Sequence, residues 1–149
     1  MDQYPKRKNP RIKNYDYSSN GYYFVTICTH QKNCIFGQPH NLNRLGRIAA
    51  EGLDEISSHF AGVEINKYVV MPNHIHAIIV LNQADTDLSV IVGAYKSYVS
   101  KKVHEADSSV KLWQTSFHDH VIRSQRSYEK IWEYIETNPQ KWEEDCFHP

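Results

Sequence analysis

Hydrophobic positions recur along this chain at two periods. Residues 77–81 form an apolar run rich in branched side chains, as expected of a central strand covered on both faces. Upstream, residues 22–29 carry the aromatic and β-branched content of a strand. Gln31-Lys32-Asn33 can turn the chain into residues 34–37, a short second strand or extended segment ending on Gly37. Across residues 42–60, Leu45, Ile48, Ala49, Leu53 and Ile56 recur at helical spacing, and Gly62 is placed to stop the helix. Residues 63–70 alternate loosely and can run on into the His74 segment as one bent strand. A polar connection, 82–87, leads to a helix over 88–103 with Asp87 as N-cap. Residues 112–123 predict the last strand with its entry loop. Residues 127–140 predict a final helix, with Ser127 as a partial cap and Pro139 limiting its end. Two-strand runs joined by helices predict an α+β domain: a mainly antiparallel sheet with helices packed on it. Residues 1–14 read as a basic flexible arm and 15–149 as a single domain.

Composition narrows the classes. With 149 residues, 40% hydrophobic and 23% charged, the chain has the makings of an ordinary globular core. No apolar run approaches the roughly 18 residues of a membrane span, and the basic start lacks a signal peptide's apolar core. The expectation is a cytoplasmic protein with no membrane partner. Cys28, Cys34 and Cys146 are scattered and odd in number, and read as reduced thiols. A net charge of zero argues against bulk coating of nucleic acid and leaves room for local basic patches. Lys6, Arg7, Lys8, Arg11 and Lys13 form one such patch, although by itself it is an ordinary solvated tail. Lys96, Lys101 and Lys102 form another. Mixed with Tyr95 and Tyr98 on one helix, they suit phosphate contacts beside stacking rings, and equally an ordinary solvated surface.

The candidate chemistry lies just before the apolar strand. His74 and His76 are separated by one residue, so on a strand both point to one face. Pro72 cannot donate to a central ladder and marks the strand's beginning, so the pair lies at a mouth of the sheet. Imidazole is a common ligand of divalent metals, and two on a rigid strand make two-thirds of a facial metal site. His118 and His120 repeat the spacing and form a competing pair, with Asp119 between them and less apolar flanks. On the last helix Ile131, Tyr134, Ile135 and Asn138 share one face, so Tyr134 and Asn138 turn toward the sheet with the apolar residues that bury there.

The string Tyr-Val-Val-Met-Pro-Asn-His-Ile-His over 68–76 resembles the His-hydrophobic-His signature of the HUH single-strand endonucleases. More closely it resembles the single-tyrosine transposases of the IS200/IS605 type and their REP-associated relatives. The likeness runs from about Tyr15 to Trp142. It implies a ferredoxin-like or RRM-like fold with the histidine pair on a central strand, and it favours His74 and His76 over His118 and His120. It also implies a nucleophilic tyrosine on a late helix, with Gln or Asn one turn later completing the metal site; the matching positions are Tyr134 and Asn138. Tyr95, Tyr98 and Tyr128, the other candidate nucleophiles, lack a ligand-type residue one turn on. The implied cofactor is Mg²⁺ or Mn²⁺, although two imidazoles would also accept zinc. The implied partner is single-stranded DNA with a hairpin, cleaved and rejoined through a 5′-phosphotyrosine. Relatives act as homodimers with the tyrosine in trans or as monomers, which leaves assembly open. Two other readings stand: a non-catalytic hairpin-DNA or RNA-binding module on the same fold, and a metallohydrolase using water.

Overall fold

The computed structural model describes residues 20–149, so the basic arm from Lys6 to Lys13 lies outside the described residues. A four-stranded antiparallel sheet is built from β1 (Gly21–Cys28), β4 (Val63–Met71), β5 (His74–Leu81) and β6 (His118–Ile122) in the order β4-β5-β1-β6. Two very short strands, β2 (Gly37–Gln38) and β3 (Asn41–Leu42), pair separately. With α1 (Arg44–His59) before β4 and α2 (Leu88–Ala106) before β6, the main order is β-α-β-β-α-β, a ferredoxin-like arrangement. A third helix, α3 (Gln125–Thr137), follows the last strand.

Alternation along the strands sends side chains to two layers. Val25, Ile27, Ile75, Ala77 and Ile79 bury against Leu53, Ile56, Ile91, Tyr95 and Val99 of α1 and α2. On the opposite face Phe24 and Ile78 meet Ile131 and Ile135 of α3 in a second, smaller core. The central strands are therefore apolar in near-continuous runs, because each face has its own helical cover.

Four boundaries differ from the sequence pattern. Residues 63–81 are a hairpin rather than one bent strand: Pro72 and Asn73 alone join the closing pair Met71 and His74. This turn is pinned from outside, since Asn73 O accepts from the backbone N–H of Thr29 at 3.0 Å and Pro72 O from that of Phe36 at 3.1 Å. Residues 34–36 are not a strand. A 3₁₀ turn at His30–Lys32, with Gln31 and Lys32 at positive φ, carries the chain to buried Phe36 instead. The last helix begins before the expected cap, because Ser124 rather than Ser127 supplies the capping oxygen, accepting from Ser127 N at 3.1 Å. That helix ends at Thr137, and 3₁₀ turns over Pro139–Glu144 redirect the chain.

Candidate active site

The register of β1 against β5 sets Cys28 opposite His74, Thr26 opposite His76 and Phe24 opposite Ile78. His74 and His76 therefore share the face that α3 covers, with ring centroids 4.6 Å apart and no solvent exposure. Asn138 closes α3 at the same place and is also buried. Tyr134, one turn earlier, stands edge-on to His76 with centroids 5.3 Å apart and packs on Phe24. Sheet and helix thus bring together the four residues expected to carry the chemistry. Lys67 helps to seat the helix, pairing with Glu136 at 2.9 Å and lying 4.1 Å over the Trp132 ring. Tyr128 Oη adds a hydrogen bond to Asn66 Oδ1 at 2.5 Å.

Hydrogen bonds settle how His74 and Asn138 are turned. Asn73 Nδ2 donates to the carbonyls of Lys32 and Phe147, so its Oδ1 is the atom that meets His74 Nδ1 at 2.8 Å. An amide oxygen can only accept, so the His74 proton sits on Nδ1 and its Nε2 carries a lone pair. Thr26 Oγ1 holds His76 Nδ1 at 2.9 Å across the sheet. Asn138 Nδ2 donates to Asp145 Oδ2 at 2.7 Å, which turns its Oδ1 inward as a further acceptor. Nε2 of both histidines and Oδ1 of Asn138 are buried without hydrogen-bond partners.

Buried polar atoms left without partners are costly. A cation removes that cost. The donor set of two imidazoles and an amide oxygen fits a divalent ion such as Mn²⁺. Among the described residues no cluster of three His, Cys, Asp or Glu side chains is gathered tightly enough to hold one, so Asn138 is needed as the third donor.

Burial drops His74 to about 3, although the Asn138 amide beside it works the other way. Burial, reinforced by neighbouring His74, also holds His76 well below the usual histidine range. Both imidazoles are neutral at pH 7, and the 3.9 Å approach of Asp145 Oδ2 to His74 Nε2 is accordingly not an ion pair. Burial raises the Tyr134 phenol above its ordinary value, and the Asp145 carboxylate adds to the rise. The tyrosine is thus a neutral phenol here.

The other candidates fall elsewhere. His118 and His120 lie on β6, an edge strand two positions from β5, hence roughly 10 Å across the sheet. His118 lines an open cleft with His30 and Trp113 that includes neither His74 nor His76. Lys96 donates to the carbonyl of Gln114 at 2.7 Å and reaches that of Ser116 at 3.5 Å, so its ammonium braces the entry to β6 rather than standing out as a phosphate contact. Lys101 and Lys102 are exposed on α2, across the sheet from the histidines. Tyr95 is core, with its hydroxyl on Ala49 O at 2.7 Å, whereas Tyr98 is partly exposed beneath Lys102.

Sequence reasoning missed Asn73, Thr26, Asp145 and Phe147. The Phe147 ring stacks on His74 at 4.3 Å between centroids, and its carbonyl accepts from Asn73 at 2.7 Å. Asn73 was signalled by its place beside His74; the others come from distant chain.

Residues 17–138 match the family model for the IS200-like transposase. The chain belongs to the IS200-like transposase family. This transposase is 34% identical to an uncharacterised protein of Haemophilus influenzae, over 93% of this chain and 91% of that one. It is 35% identical to the REP-associated tyrosine transposase of Escherichia coli K12, over 52% of this chain and 45% of that relative. Its fold is that of a REP-associated tyrosine transposase solved bound to a REP hairpin, with TM-score 0.68 at 23% identity, over 95% of this chain and 74% of the other. A putative transposase from Deinococcus radiodurans aligns with TM-score 0.58 at 18% identity, over 85% of this chain and 95% of that one.

Proposed function

We propose that this transposase cleaves and rejoins single-stranded DNA near hairpins, with Tyr134 as nucleophile and His74, His76 and Asn138 as holders of Mg²⁺ or Mn²⁺. The observation that carries this reading is the presence of three unpartnered buried polar atoms, Nε2 of His74 and His76 and Oδ1 of Asn138, on the residues beside Tyr134. When bound, the ion would neutralise negative charge growing on the scissile phosphate. Neutral imidazoles serve that purpose best, because their lone pairs are available without prior loss of a proton.

Tyr134 Oη would attack phosphorus, forming an O–P bond as the bond to O3′ breaks. The phenolic proton goes to solvent or to the departing 3′ oxygen, which leaves as a free 3′-OH. One phosphodiester replaces another, so a 3′-OH can reverse the step without ATP. The raised phenol makes this a demanding step in the absence of added positive charge. Tyr134 lies beside His76 of its own chain, which supports a site completed in cis. A hairpin partner is supported by the similarity in fold to the relative solved with a REP hairpin.

The test is incubation with labelled hairpin-bearing single strands and Mn²⁺, followed by denaturing electrophoresis. A detergent-resistant covalent adduct is expected, and Tyr134→Phe abolishes it while hairpin binding stays within about twofold. An undiminished adduct in that variant moves the nucleophile elsewhere, with Tyr128 next to test. Binding without any adduct supports the non-catalytic module instead.

A further inference from the structure

We infer that the open cleft walled by His30, Lys111, Trp113 and His118 is a subsite for one nucleotide of the single strand near the scissile phosphate, with its base against the Trp113 ring and its phosphate on Lys111. The inference rests on the single-strand reading above and adds a place where the strand is held apart from the histidine pair.

Position carries the first part of the argument. His76, Thr26 and His118 stand in one row across the sheet, because Thr26 is paired with His76 on β5 and with His118 on β6. Directly paired residues of antiparallel strands send their side chains to the same face, and on that face Thr26 Oγ1 meets His76 Nδ1. His118 therefore shares the face of the histidine pair, two strand spacings or roughly 10 Å from His76. The cleft also lies at the matching end of the sheet: Gln114 N donates to Cys28 O at 3.1 Å, and Cys28 is paired with His74. A single strand passing the histidines crosses that gap within a few nucleotides.

Chemistry carries the second part. Among the described residues every side chain on the cleft wall has an N–H or O–H group and none is acidic, although the chain as a whole has no net charge. Such a wall favours an anion, and Lys111 on it is exposed. The cleft holds about 370 Å³, within the roughly 300–1,000 Å³ of pockets that take small organic ligands. Half-buried Trp113 is fixed in place: its Nε1 donates to Lys96 O at 3.1 Å, and its ring packs on Phe36 and Tyr95 with centroids 5.9 Å from each. Its backbone is tied down as well, by the bridge to Thr29 and by His30 N donating to Leu112 O at 2.9 Å. A ring already held this way loses little freedom when a base stacks on it, and stacking accepts any base.

The test compares a bare hairpin with the same hairpin carrying a single-stranded flank, both binding the full chain in EDTA and followed by fluorescence anisotropy. Lys111→Ala is expected to flatten the log-log salt slope of the flanked strand by about 0.7, a loss of about fivefold near 0.1 M salt, and to leave the bare hairpin within about twofold. Iodouracil placed at each flank position in turn and irradiated on the wild-type chain is expected to crosslink at one position to the peptide holding Trp113, read by mass spectrometry. Unchanged binding of the flanked strand in Lys111→Ala overturns the inference, as does an equal loss on the bare hairpin, which would make Lys111 a stem contact. Absence of the Trp113 crosslink from every flank position overturns it too, without depending on the folding of any variant. If the flank adds no affinity to the wild type, the single-strand reading itself fails and the subsite with it; a flank that adds affinity untouched by Lys111→Ala removes the subsite alone.

Discussion

Asn73 fixes the tautomer of its own neighbour, accepting from His74 Nδ1 at 2.8 Å while its amide nitrogen donates to Lys32 O and Phe147 O. One side chain thus orients an imidazole and ties two distant loops to it. Outer partners of this kind commonly contribute about 10–100-fold to metal affinity. Asn73→Ala is expected to weaken Mn²⁺ binding within that range, read by calorimetry. Unchanged affinity would mean that packing by Phe147 suffices to orient the ring.

The two histidine pairs should respond unequally. His74→Ala and His76→Ala are each expected to abolish Mn²⁺-dependent cleavage. Alanine at His118 or His120 should leave Mn²⁺ affinity within about threefold, because β6 is too far away to share an ion with β5. Gel-based cleavage assays alongside calorimetry check this. Equal losses at both pairs would contradict the assignment.

Acid should destabilise the metal-free protein through these same rings. In the unfolded chain each histidine takes up a proton below about pH 6.5, whereas burial keeps folded His74 neutral down to about 3 and holds His76 well below its usual value. The folded pKa is depressed, so the stability is fully present above about pH 6.5 and is lost as pH falls toward 3. The slope approaches about 1.4 kcal/mol per pH unit for each ring. Urea midpoints between about pH 7 and 5 in EDTA should show this fall, and replacing both histidines should flatten it.

For the lysines the structure divides the expectation. Lys96→Ala should lower thermal stability, since its ammonium is engaged by the carbonyls of Gln114 and Ser116. Charge removal at Lys101 and Lys102, or in the arm from Lys6 to Lys13, should weaken binding to every hairpin alike. For every lysine or arginine that truly pairs with a phosphate, its removal should flatten the log-log salt slope by about 0.7 on single strand or 0.9 on duplex stem. An unchanged slope after deleting residues 1–13 identifies the arm as a solvated tail; an altered hairpin preference makes it a reader of sequence.

Spacing along single elements made much of this protein legible from sequence. Alternation put His74 and His76 on one face, and helical periodicity put Tyr134 and Asn138 on the buried face of α3, because both are consequences of local backbone geometry. The apolar run of β5 told of cover on both sides for the same reason. Turns were harder. Whether Pro72-Asn73 bends a strand or reverses it depends on bonds to Thr29 and Phe36, far away in sequence. The sequence pattern put the cap of α3 at Ser127, whereas Ser124 supplies it, three residues earlier. The partners of the imidazoles were beyond local pattern altogether. Thr26 reaches His76 only through strand register, while Asp145 and Phe147 arrive because the chain folds back after Asn138. Periodicity records which way a side chain points, but what it meets there depends on segments that the chain brings together only when folded.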